Sequence, residues 1–91
     1  MVSDVPCLQI EVDTKSFVRI FDANVDPQEL VWHRDHHSRT ITVLQGKNWQ
    51  FQFDNCLPQP LVPGQQLMVA ADAWHRLIAG SDNLVLAITE S

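Results

Sequence analysis

The chain has 91 residues, 45% of them hydrophobic and 19% charged, a composition that supports one globular domain over residues 1–91 with a single modest core. Its formal net charge of −5 argues against nucleic-acid phosphate as a partner, because that needs a dense cationic surface. No apolar run approaches the roughly 18 to 20 residues of a membrane span, so no membrane partner is expected.

Cys7 and Cys56 are the only cysteines. They form no CxxC pair, and neither has a neighbouring cation or histidine to activate it, so both read as bystanders. The first residues, MVSDVPCLQIEVD, lack the basic head and apolar run of a signal peptide, which makes the cytoplasm the expected location.

Leu8, Ile10 and Val12 alternate with Gln9, Glu11 and Asp13, which predicts a half-buried strand near the N-terminus. This strand, about residues 7–13, is free to pair with a neighbouring subunit's sheet edge, and a homodimer is expected. Ser16 to Asp22 follows as a strand covered on both sides, and Asn24 to Pro27 breaks it. Asp26-Pro27-Gln28-Glu29 carries a helix-start signature. A helix from there would set His33 and His37 one turn apart, a metal-chelating spacing. The residues that follow show no apolar stripe at helical spacing, and a strand is the preferred reading.

Trp32 to Gly46, WHRDHHSRTITVLQG, holds three of the four histidines. On extended chain His33 and Asp35 share a face, so metal-type ligands lie beside core residues. Arg39 to Leu44 alternates as a strand ending at Gln45 to Asn48, which reads as a hairpin turn. Trp49, Phe51 and Phe53 then alternate with Gln50 and Gln52, which marks Trp49 and Phe51 as core or pocket wall. Three prolines keep the next stretch to short edge pieces. Gln66 to Ala70, Ala73 to Ala79 and Leu84 to Thr89 complete seven or eight short strands, an all-β sandwich or barrel.

Two motifs carry a resemblance. His33, Asp35, Arg39 and Gly46 fall at the spacing H-x-H, three or four residues, E, six residues, G. Gly64, Ala70, Asp72, His75 and Ala79 fall at the spacing G, five residues, P-x-G, two residues, H, three residues, N. The spacing is kept throughout, and the residue type at His33, Gly46, Gly64 and His75. From about Glu29 onward the chain resembles a small single-domain cupin with partly degenerate metal motifs.

The resemblance implies a double-stranded β-helix, or jelly-roll barrel, with a divalent metal inside. It also implies that His36-His37-Ser38 is a tight turn, with Asp35 and Arg39 neighbours across a hairpin. Arg39 stands where the family has its Glu ligand and, being permanently protonated, cannot bind a metal. The remaining set is His33, Asp35 and His75, two imidazoles and a carboxylate, which suits Fe, Mn, Zn or Ni; His37 could add a ligand. The H-x-D pair with a distant histidine also resembles the metal triad of 2-oxoglutarate oxygenases.

Arg39 is then the candidate inward cation, favouring a small anionic ligand through bidentate pairing, while Arg34 and Arg76 turn outward. Three functions fit: a metal-dependent dioxygenase or isomerase, a non-catalytic small-molecule binding or sensing module, and a metal-free barrel in which Asp35 and Arg39 are an ion pair.

Overall fold

A computed structural model describes residues 7–22 and 30–91, and the helix signature at Asp26 to Glu29 lies outside the described residues. Eight strands follow in chain order: β1 (Cys7–Glu11), β2 (Ser16–Phe21), β3 (Arg39–Gln45), β4 (Gln50–Phe53), β5 (Gln59–Pro60), β6 (Gln66–Val69), β7 (His75–Ile78) and β8 (Leu84–Glu90). They form a five-stranded sheet of order β1-β2-β8-β3-β6 and a three-stranded sheet of order β5-β4-β7, with every named pairing antiparallel. The two sheets face each other, as expected for a jelly roll.

Period-two alternation builds the core. Leu84, Leu86 and Ile88 on β8, Ile41 and Val43 on β3, and Phe17 and Phe21 on β2 are buried against Trp49, Phe51, Leu61 and Leu77 from the small-sheet side. Burying each such side chain stabilises the fold by roughly 1.5–3 kcal/mol. Trp49 lies wholly inside, 1% exposed, and its indole N–H donates to the Asp82 carbonyl at 2.6 Å, so its one polar atom is satisfied.

Two expected hairpins are corrected here. β3 pairs with β6 and β8 whereas β4 pairs with β5 and β7, so Gln45 to Asn48 carries the chain from one sheet to the other. The partner of this turn is the 80–82 loop, through Ser81 N–H to Lys47 O at 3.0 Å. Gly80 permits that approach, since a Cβ there would run into Lys47 O and the Trp49 ring. The His36-His37-Ser38 turn likewise crosses between sheets: His33 bridges to His75 on the free edge of β7, and Arg39 begins β3 in the large sheet. Turn residues mark a reversal, and burial of the apolar faces decides which neighbour the chain meets.

β1 pairs with β2 of its own chain, and among the described residues its other edge has no strand partner in the sheet.

Candidate metal centre

The His33–His75 bridge is held by two backbone hydrogen bonds, His33 N–H to His75 O at 3.0 Å and the reverse at 2.9 Å. Their rings meet edge to face with centroids 4.4 Å apart, and Phe51 stacks on His75 at 5.2 Å. Asp35, two residues along on the same face, is fixed by its carbonyl, which accepts from Asp72 N–H at 2.7 Å. Asp72 has φ of 64° where the cupin motif carries Gly. Aspartate is among the few residues that enter this region at modest cost, which explains how the spacing survives the substitution.

One ligand atom from each of His33, Asp35 and His75 lies within 4.8 Å of the others. Each histidine places Nδ1 on a backbone carbonyl, His33 on Val31 O at 2.9 Å and His75 on Ala73 O at 2.8 Å. A carbonyl only accepts, so both Nδ1 atoms carry hydrogen, which leaves Nε2 of each ring as the atom that takes either a proton or a metal. The same arrangement orients and fixes the tautomer of metal-ligating histidines. His75 Nε2 then faces Asp35 Oδ2 at 3.3 Å. Two lone pairs at that distance, with His75 5% exposed, require a proton or a metal cation on the nitrogen. The donor set therefore fits a metal ion.

Arg39 lies beside this set, with Nη1 3.1 Å from Asp35 Oδ2, while Nε and Nη2 both reach Glu90 Oε2 at 2.8 Å. Hydrogen bonding from His75 and the Arg39 guanidinium hold the Asp35 carboxyl below the ordinary aspartate range, against an opposing push from burial. Because two carboxylates balance its charge, Arg39 is a weaker anion anchor than its position in the sequence implies. Glu90 was not legible in advance; only the β3–β8 register, Arg39 opposite Glu90, puts it there. Arg19 was missed although alternation signals it: it lies between Phe17 and Phe21 on their inward face, and it lines the barrel cavity with His33, Arg39, Phe51 and His75. Its Nε donates to Gln9 Oε1 at 2.8 Å.

Two expected site residues are placed elsewhere. His37 is exposed and outside the cluster, since the turn carrying it leaves the small sheet. Trp49 belongs to the core, packed by Phe21 at a centroid distance of 6.4 Å, and is not among the residues lining the cavity. Arg34 and Arg76 face outward as expected, over the rings of Trp74 and Trp32.

No family model matches the chain, and no curated protein matches it. Solved structures do. A cupin of double-stranded β-helix fold from Methanocaldococcus jannaschii aligns over 100% of this chain and 85% of its own, with TM-score 0.73 and 11% identity. A cupin superfamily protein from Desulfitobacterium hafniense aligns over 92% and 74%, with TM-score 0.64 and 25% identity. A DMSP lyase structure aligns over 82% of this chain at TM-score 0.70 and 21% identity, and the present chain spans 36% of that one. The fold is that of a small cupin domain. Among the described residues no helix is long and apolar enough to cross a membrane.

Proposed function

We propose that this protein is a metal-dependent small cupin in which His33, Asp35 and His75 hold one divalent ion and Arg19, with Arg39, draws a small anionic ligand to it. The observation that carries the reading is His75 itself: Nδ1 donates to Ala73 O while Nε2 faces Asp35 Oδ2, leaving a cation-shaped requirement between two acceptors. When bound, the ion supplies Lewis-acid or oxygen-activating chemistry. The chain's own residues orient the ligand atoms, exclude water through Phe51, and balance charge through the Asp35–Arg39–Glu90 series. Cupins similar in fold include lyases, which supports a catalytic role.

The cavity favours a second reading beside it. Its volume is about 30 Å³, room for about one water, against the several hundred Å³ of a pocket that encloses a whole organic ligand. A ligand would insert only its terminal group, as suits a sensing or binding module as well as an enzyme.

Calorimetric titration of untagged protein with iron(II), manganese(II), zinc(II) and nickel(II) tests the proposal. One ion per chain is expected for at least one metal, lost in His75→Ala and unchanged in His37→Ala. A null result with all four leaves a metal-free barrel in which His75 is the hydrogen-bond partner of Asp35. Turnover screening of the loaded protein then separates enzyme from sensor.

The proposed assembly is a homodimer in which β1 pairs with a neighbouring subunit's sheet edge. Leu8 and Ile10 are exposed and lie in register with Ile20 and Val18, so β1 presents an apolar strip to a partner. Sedimentation should show a dimer that Ile10→Lys dissociates; a monomeric starting protein refutes it.

A further inference from the structure

The ladder that carries the two histidines has another side. Residues 32, 34, 74 and 76 alternate with His33 and His75 and face outward, and the antiparallel bridge sets Trp32 beside Arg76 and Arg34 beside Trp74. Each pair is a stacked cation and ring, Arg76 Cζ 4.9 Å from the Trp32 centroid and Arg34 Cζ 5.2 Å from that of Trp74. Arg76 is pinned from its far side, Nε to Gln52 Oε1 at 2.8 Å, and Asp54 is tied to Trp74 through its own N–H to Trp74 O at 3.0 Å.

Between these side chains lies a recess of about 320 Å³ lined by Trp32, Asp54 and Trp74 among the described residues. That volume is at the lower end of the range for small-molecule pockets and about ten times that of the barrel cavity. The two indoles remain 39% and 44% exposed while each stacks against a guanidinium.

The charges around the recess narrow its ligand. An organic cation would enjoy the indoles and Asp54 but meet Arg34 and Arg76; an anion would meet the Asp54 carboxylate. A neutral ring with an apolar C–H face and peripheral hydroxyls suits both features, stacking on an indole while donating to the Asp54 carboxylate. We infer that this recess is a saccharide-binding site on the outer wall of the barrel, with Trp32 and Trp74 as stacking surfaces and Asp54 as the hydroxyl acceptor. It is separate from the metal centre and does not depend on a metal being bound.

Tryptophan emission reads the site directly, because Trp49 is buried and Trp32 and Trp74 are exposed. Glucose, mannose, galactose and N-acetylglucosamine would be titrated separately, with tetramethylammonium and inorganic phosphate as charged probes. At least one sugar should shift emission and shield the indoles from iodide quenching at millimolar concentration, the affinity expected of a shallow recess. Asp54→Asn and Trp74→Ala should each weaken that response at least about tenfold while leaving the melting temperature near that of the parent. The exposed-site control Met68→Ala should respond like the parent. The inference is overturned if no sugar changes emission, if Trp74→Ala retains the response, or if only a charged probe binds. An emission change that follows protein concentration without any probe assigns the patch to self-association and likewise overturns it.

Discussion

The two faces of the ladder joining His33 to His75 share one backbone and have opposite chemistry. Inward, His33, Asp35 and His75 converge with their donor atoms fixed and partly buried; outward, two exposed tryptophans are stacked with an exposed Arg34 and a half-buried Arg76. Burial makes the inner groups interdependent, since an unpaired charge there costs several times what it costs in water. On the outer face each contact is screened and worth little individually. Changes on the inner side should therefore be expensive and coupled, and changes on the outer side small and additive.

The largest effect should come from Phe51→Ala, which removes a buried ring that stacks on His75 and packs in the core. About 3–5 kcal/mol is expected by chemical denaturation, enough to unfold a domain of ordinary stability. A loss under 1 kcal/mol would mean that the inner face is not a packed core.

Next is Asp35→Asn, which takes the counter-charge from Arg39 and the acceptor from His75. A cost of about 1–3 kcal/mol is expected in metal-free protein, together with loss of metal binding. If stability is unchanged, Glu90 alone satisfies Arg39.

The pH dependence of stability follows from the same carboxylate. The Asp35 pKa is lowered in the folded protein, so its contribution is fully present above the unfolded-state pKa and is lost as pH falls through the lower folded value. Melting temperature should drop on that acid limb, and the drop should be shallower in Asp35→Asn. An identical limb in both proteins would assign acid sensitivity to other groups.

On the outer face Arg34→Gln should cost about 0.5–1 kcal/mol, the size of one exposed cation–π contact, and Gln50→Ala, on the half-buried side of β4, should lie within about 0.5 kcal/mol. Should Arg34→Gln prove as damaging as Asp35→Asn, the contrast between the faces fails.

Much of this was legible in the chain. Alternation is a local property of extended backbone, so Trp49 and Phe51 facing the core, His33 and Asp35 sharing a side, and Arg34 and Arg76 facing away all follow from residue order. The motif spacing brought His75 to His33. Arg19 follows from the same rule, since it lies with Phe17 and Phe21 on one face of β2. Pairings between distant residues were not legible. Turn residues show that a chain reverses but not against which strand, so the crossings at 36–38 and 45–48 resembled hairpins until the two sheets were assembled around their shared core. That assembly alone put Glu90 on Arg39 and His37 in solvent, kept Trp49 away from the barrel cavity, and reduced that cavity to the size of a water molecule while opening a recess outside it. Such features depend on which apolar faces bury each other, a free-energy balance summed over the whole domain that no short stretch of sequence contains.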